Sequence, residues 1–239
     1  MKPHEKELAL YYDLIYYWLD YEGGAGKVKS LVKEYKKSSG NELLEVACGT
    51  GKYIEYLKDE FYCTGVDISK YMLMIARFRY PDITFKQVDM VDLNLKKKFD
   101  VIICLFSSIG YVRTYTNLKR TINNFAQHLK KGGVIIIEPW FTKSTFKAGS
   151  PHMLTYNHQD IKIARLVVSK QKKNLSLIDM HYLVAERDKD VKYIVEKHKL
   201  GLFDIDTTIK ILKENGLRSE YFKDGITEKQ KGLFVGVRI

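Results

Sequence analysis

Cysteine is scarce in this chain and long apolar runs are missing, and each absence narrows what the protein can be. The three cysteines, Cys48, Cys63 and Cys104, cannot make a full disulfide set and include no C-x-x-C pair. They fall in or beside expected buried strands and read as reduced, packed thiols. No uninterrupted run reaches the roughly eighteen apolar residues of a membrane-spanning helix, so no membrane partner is expected. The opening MKPHEKELALYYDLIYYWLDYE has neither a basic-then-apolar profile nor a small-residue cleavage site. It reads as a helix rather than a leader, and the cytoplasm is the expected compartment. No His/Cys/Asp/Glu cluster has the spacing of a metal site, so no metal is expected. A G-x-S-x-G nucleophile motif is missing as well.

What the chain does have is positive charge and enough apolar residues for a core. Forty Lys and Arg against 29 Asp and Glu give a net charge of +11 over 239 residues, of which 45% are hydrophobic. Such a balance attracts anions, whether nucleic acid or a phosphorylated small molecule. The lysine clusters at 33–37, 96–98 and 170–173 nevertheless fall in different turns and helices with no shared face. No interleaving of aromatics with arginine suggests a base-stacking platform, so nucleic acid is disfavoured and a solvated surface is the plainer account.

The length suits one large α/β domain or a domain with an insertion. Residues 4–22 and 24–38 carry helical spacing, with a break expected at Gly23-Gly24-Ala25-Gly26. Strand-like runs follow at 42–47, 61–66, 83–88, 99–105 and 134–138, alternating with helical patterns, the last run coming after Lys131-Gly132-Gly133. That alternation predicts a mostly parallel sheet covered on both faces. From about 151 the rhythm changes. Segments 152–157, 161–169, 175–185 and 191–202 are short and β-rich with no helix between them, which predicts antiparallel strands. A helix at 204–215 ends on Asn215-Gly216, and strands at 218–223 and 233–239 close the chain.

The chemistry concentrates in LLEVACGTGKYIEYL (43–57), a buried strand that ends in a glycine-bearing turn opening a helix. Gly49 and Gly51 let backbone approach a ligand, and the helix start offers N–H groups. The turn is neither a P-loop nor G-x-G-x-x-G. Asp67, sixteen residues after Gly51 at the end of the next strand, is placed to accept hydrogen bonds from two ribose hydroxyls. Asp89 ends the third strand, where it could accept from an adenine amino group, and Ile68, Met72 and Met90 would give the ring apolar walls.

In this order, E-V-A-C-G-T-G, V-D-I-S, D-M and a strand running into F-S-S, the chain resembles the class I methyltransferases. CLFSSIGYV (104–112), FAQHLKKGGVIIIEPWF (125–141), HKLGLF (198–203) and KGLFVGV (231–237) are similar to one subfamily, the dTDP-amino-sugar N,N-dimethyltransferases of the desosamine and mycaminose type. The similarity extends over nearly the whole length. It implies a Rossmann-like fold with a mostly parallel seven-stranded sheet from 1–150 and 204–239, and an inserted antiparallel β subdomain at 151–203. It further implies S-adenosyl-L-methionine held by Tyr12, Ala47, Cys48, Gly49, Gly51, Asp67, Ile68, Met72, Asp89, Met90 and Phe106. The acceptor, a nucleotide sugar, would meet Tyr16, Ser107, Trp140 and Lys231, with Tyr111 and His4 near its amine. Lys231 stands where the subfamily has an arginine, which keeps charge but loses the bidentate fork. The resemblance allows a homodimer.

Three other readings stay open on the residues alone: a different small-molecule acceptor, an RNA base, or a non-catalytic nucleotide-binding module. Against RNA, the fourth strand runs into Phe106-Ser107-Ser108 where N-P-P-Y or D-P-P-Y would support methylation of a base amine. His128, late in its helix, reads as structural or surface, whereas His181 and His198 lie among the β-rich segments, where they could contact a sugar but are more simply packed or exposed.

Overall fold

Leu43 and Leu44, Val101 and Ile102, and Val134 and Ile135 are adjacent pairs buried on opposite faces, and they show why the central strands form a two-sided sheet. The computed structural model describes residues 4–227 and 231–239. Helices α1 (Glu5–Ile15) and α2 (Tyr21–Tyr35) come first. Then β1 (Glu42–Val46), α3 (Lys52–Leu57), β2 (Tyr62–Asp67), α4 (Lys70–Arg79), β3 (Thr84–Gln87), β4 (Phe99–Cys104), α5 (Tyr115–His128) and β5 (Leu129–Ile137) alternate. Four long strands follow, β6 (Pro151–Asn157), β7 (Ile161–Lys172), β8 (Leu175–Glu186) and β9 (Lys192–Gly201). The chain ends with α6 (Ile205–Glu214), β10 (Leu217–Phe222) and β11 (Leu233–Arg238).

The main sheet has the order β10-β11-β5-β4-β1-β2-β3. Strands β1 to β5 are parallel, and β11 runs antiparallel between β5 and β10. Because β1 is flanked by both β2 and β4, the winding direction reverses there, which opens a crevice outside the carboxyl ends of the strands. Leu43, Val101 and Val134 pack against α2, while Leu44, Ile102 and Ile135 face Phe125 of α5 and Leu212 of α6. The second sheet is a separate antiparallel meander, β6-β7-β8-β9. Helix α1 lays Leu8, Tyr11 and Ile15 on its Ile163, Tyr182, Val184 and Ile194.

One local expectation is corrected, and one strand starts earlier than expected. Gly23 to Gly26 do not break a helix: α2 runs through them, and the interruption lies at 16–20 instead. Asp20 caps the helix by accepting from the Gly23 N–H at 2.8 Å. A side chain at Gly24 would come within 2.9 Å of the Tyr53 ring, so that glycine serves close packing of α2 on α3 rather than chain reversal. Strand β5 begins at Leu129, ahead of the 134–138 run, and takes in Lys131-Gly132-Gly133. Gly132 has φ +76°, and the pairing of β4 with β5 slips between Phe99 and Val101, as at a bulge. Among the described residues no helix is long and apolar enough to cross a membrane.

Candidate active site at the carboxyl ends of the parallel strands

The turn after β1 is shaped by left-handed backbone. Ala47, Gly49 and Gly51 have φ of +57°, +54° and +80°. A methyl group added at Gly49 would meet no atom within 4 Å, so space lies open beside this backbone. Asp67, at the end of β2, is buried, and each of its oxygens takes a backbone donor. Oδ2 accepts from the Gly49 N–H at 2.9 Å and Oδ1 from the Ser69 N–H at 2.8 Å. Burial pushes this carboxyl upward and the backbone donors oppose it. The two bonds fix the turn against the strand and leave a second lone pair on each oxygen for ribose hydroxyls. Next to it Ile68 is 65% exposed, an unusual position for an isoleucine that a ring stacked on it would explain. Met72 and Met90 are half-buried near by in sequence, and Asp89 accepts from the Val91 N–H at 2.9 Å. Cys48 is packed under the turn against Gly65. An open cradle, a bonded acid and an exposed apolar wall together fit a nucleoside.

Helix α1 closes one side. Its Asp13 accepts from the Thr50 hydroxyl at 2.7 Å and pairs with Arg79 of α4, tying the helix to the cofactor turn. Tyr12 and Tyr16 meet at a tilt with ring centres 4.7 Å apart, and Tyr16 meets Phe106 edge-on at 5.1 Å. Burial pushes the Tyr12 hydroxyl well above its ordinary value, with Tyr16, Tyr21, Tyr111 and Asp67 adding to the effect. These groups therefore share one neighbourhood.

The opposite side is built by the segment after β4. Phe106 and Ser107 have φ of +49° and +61°, conformations that cost non-glycine residues energy and cluster at functional sites. They are held by Glu138 and Pro139: the Phe106 N–H donates to Glu138 Oε2 at 2.8 Å, and the Ser107 hydroxyl to the Pro139 carbonyl at 2.9 Å. A short 3₁₀ turn, Ser108–Val112, then presents Tyr111. Tyr111 is 43% exposed, yet burial among its surroundings pushes its hydroxyl upward; a side chain on the wall of an open cleft has both properties. Lys231 is only 5% exposed, and its ammonium lies 4.4 Å from the Trp140 ring centre, 5.5 Å from Phe141 and 5.7 Å from Phe106. Three aromatic faces hold one cation. Trp140 also donates its indole N–H to Ser176 of β8 at 2.9 Å, so it joins the two sheets as well as lining the site.

His4 is not brought to Tyr111. Its ring lies 2.8 Å from Glu7 Oε2 on the exposed start of α1. His198 of β9 takes the place beside Tyr111 instead, with Nδ1 at 2.8 Å from the tyrosine oxygen. His128 is structural, as read: Nε2 accepts from the Leu95 N–H at 2.7 Å and Nδ1 faces the Asn124 carbonyl at 2.7 Å. Other residues join the site without having been singled out. Glu138 is fully buried and also accepts from the Ile226 and Thr227 N–H groups. Arg165 of β7 donates to the Tyr16 hydroxyl at 3.0 Å. Glu45 of β1 is buried near Asp67, and burial, then the Asp67 charge, push its carboxyl well upward. The acid inside an otherwise apolar strand was a legible signal for Glu45, and E-P-W at a strand end was one for Glu138. Arg165 had none.

The strand order, the left-handed turn and the acid closing β2 are those of a class I S-adenosylmethionine-dependent methyltransferase, and residues 43–133 match the family model described as a methyltransferase domain. The chain belongs to the dTDP-amino-sugar N,N-dimethyltransferases. It is 35% identical over 237 residues to the dTDP-3-amino-3,4,6-trideoxy-alpha-D-glucopyranose N,N-dimethyltransferase of Streptomyces venezuelae, covering 98% of this chain and 99% of that one. The crystal structure of Streptomyces venezuelae DesVI superposes with a TM-score of 0.91 at 34% identity, over 100% of both chains. The S-adenosylmethionine-bound structure of CalS10, an amino pentose methyltransferase from Micromonospora echinaspora, shares the fold at a TM-score of 0.83, 24% identity and 92% coverage of each chain.

Proposed function

We infer that this enzyme methylates the amine of a dTDP-linked deoxy-amino-sugar. The observation that carries the reading is the run of contacts after the parallel strands: Phe106 meets Tyr16 at 5.1 Å and the Lys231 ammonium at 5.7 Å, while Asp67 holds the cofactor turn through the Gly49 N–H. S-adenosylmethionine supplies an activated methyl group on a sulfonium centre. The protein's task is placement, which supplies on the order of 7–11 kcal/mol of the barrier in well-oriented systems. Asp67 holds the ribose, Asp89 the adenine amino group, and Ile68, Met72 and Met90 flank the ring. Ala47, Cys48, Gly49 and Gly51 give the cofactor its backbone cradle, with Tyr12 and Phe106 over it. On the acceptor side Tyr111 orients the amine, Tyr16, Ser107 and Trp140 line the sugar, and Lys231 faces the diphosphate as a point charge. The strands at 151–203 form a subdomain that shapes this acceptor side. The enzyme works in the cytoplasm without nucleic acid, and a homodimer is compatible with this assignment.

Calorimetric titration with S-adenosylhomocysteine, then dTDP, then a short RNA tests the reading. Saturable binding of the first two and none of the third is the expected result. Binding of S-adenosylhomocysteine with no response to dTDP sinks the proposed acceptor and keeps the enzyme class.

A further inference from the structure

An amine attached to a sugar ring enters an enzyme at neutral pH mostly as an ammonium, because aliphatic amines titrate between about 8 and 10.4. In that form nitrogen has no lone pair with which to attack. The inference that follows rests on the amino-sugar reading above. We propose that His198 accepts the proton that the acceptor amine carries into the cleft, receiving it through the Tyr111 hydroxyl, with Glu196 stabilising the charge that results.

The geometry forms a line from the cleft into the second sheet. Tyr111 presents its hydroxyl 2.8 Å from His198 Nδ1, with the two rings edge-on at 5.7 Å. On the far side His198 Nε2 is 3.0 Å from Glu196 Oε2, an ion-pair distance without hydrogen-bond alignment, so Glu196 acts on the ring as a nearby charge. The histidine is 9% exposed and Glu196 24%, which places the charge pair where screening by water is weak. The ring nitrogen facing Tyr111 must be unprotonated and Nε2 protonated, the tautomer that a carboxylate beside Nε2 favours.

Other ionisable groups around Tyr111 are poorer proton acceptors. Tyr12 of α1 and Tyr182 of β8 are driven upward by burial and stay phenols. Tyr16 receives the Arg165 guanidinium, and Asp67, whose oxygens accept the Gly49 and Ser69 N–H groups, gives its remaining lone pairs to the ribose in the reading above. Tyr111 itself is held as a phenol, which lets one oxygen accept a proton as it gives one away. The step balances without a co-reactant. The ammonium N–H breaks as its proton passes to the Tyr111 oxygen, and the original phenolic proton passes to Nδ1. The amine recovers its lone pair, Tyr111 remains a phenol, and His198 becomes an imidazolium beside Glu196. Because His198 does not touch the acceptor, it works through Tyr111.

The test compares kcat/KM at about pH 7, where the amine arrives charged, with about pH 9.5, where most of it arrives neutral. His198→Gln is expected to lose about ten- to a hundredfold at the lower pH and to come within about threefold of the parent at the higher. Glu196→Gln should show the same pattern more weakly. Tyr111→Phe should lose at least as much as His198→Gln at the lower pH and keep part of its loss at the higher, because the same hydroxyl orients the amine, and the double variant should be no worse than Tyr111→Phe alone. Thermal melting and S-adenosylhomocysteine binding report folding, and Glu196→Gln carries the test should His198→Gln misfold. Nitrogen NMR of the His198 ring in the intact enzyme supplies a readout independent of turnover. A deficit equal at both pH values, or a ring protonated on Nδ1 alone, overturns the relay and leaves the amino-sugar reading standing. A parent enzyme that methylates no dTDP-amino-sugar at either pH overturns both.

Discussion

Replacing Glu138 by glutamine keeps the shape of the side chain and removes its charge, and the donors around it set the cost. Oε1 receives the Ile226 N–H at 2.8 Å and the Thr227 N–H at 2.6 Å, while Oε2 receives the Phe106 N–H at 2.8 Å and the Thr227 hydroxyl at 2.6 Å. An amide has a single acceptor oxygen. If its NH₂ took the place of Oε1, two backbone N–H groups would face a donor. If it took the place of Oε2, only the Phe106 N–H would, because the Thr227 hydroxyl can rotate to accept. The second arrangement is the cheaper. It loses a charge-assisted bond worth about 1.5–3 kcal/mol and leaves a buried N–H unpaired at a further 1–3 or so. Together about 2.5–6 kcal/mol, at roughly 2–4 °C per kcal/mol in a chain of this size, they lower the melting temperature by about 5–24 °C. The loosened contacts lie in two walls of the cleft, so KM for the acceptor should rise more than Kd for S-adenosylhomocysteine. Melting by circular dichroism and steady-state kinetics measure both. A variant that melts within about 2 °C of the parent would refute the assignment of Glu138 as the anchor of these loops.

Other outcomes follow from the same geometry. Asp67→Ala removes the acceptor of the Gly49 and Ser69 N–H groups and of the ribose, so calorimetry should show S-adenosylhomocysteine bound at least about tenfold more weakly; unchanged affinity contradicts the cradle. Lys231→Met keeps an apolar stem against Trp140, Phe106 and Phe141 but deletes the charge. Binding of dTDP should fall about tenfold with S-adenosylhomocysteine unaffected, and an equal loss of both would mean that the lysine supports structure only. Hydrogen bonds from Lys189, Tyr11 and Lys192 hold the Glu186 carboxyl down at about 2 from an ordinary 4.5. A depressed carboxyl stabilises the fold fully above its unfolded value, and that contribution disappears as pH falls from about 4.5 towards 2. Because Tyr11 lies on α1, hydrogen exchange corrected for intrinsic rates should quicken in that helix at about pH 3 relative to pH 6, and Glu186→Gln should abolish the difference.

How far each part could be read from sequence follows the distance its contacts span. The central strands announced themselves because Val101–Cys104 is an unbroken apolar run inside a strand buried at every position, and such a run has few other uses. Acids closing strands marked Asp67 and Asp89. Glycine was ambiguous: Gly23–Gly26 looks the same whether it interrupts a helix or lets one lie on Tyr53, and only the packing of α3 decides. His4 shows another limit. A terminal residue has no motif beside it to anchor an alignment, and its side chain was captured by Glu7, one turn ahead.

The cofactor cradle is a local object: Asp67 bonds to Gly49 only eighteen residues earlier, within a strand, turn and helix whose pattern repeats along the chain. The acceptor side is assembled from afar. Tyr111 meets His198 across 87 positions, Glu138 meets Thr227 across 89, and Arg165 meets Tyr16 across 149. The first and last depend on how the second sheet sits against the rest of the fold and the Glu138 contact on the loop between β10 and β11, and no period in the sequence encodes either. Resemblance could therefore name the acceptor class while the residues that serve it stayed hidden. Helix α1 belongs to both regimes. Asp13 fastens it to the cofactor turn through Thr50, and Tyr11, two positions away, fastens it to Glu186 of the second sheet. A rigid helix pinned at two such close points cannot tilt toward one site without loading the bond at the other.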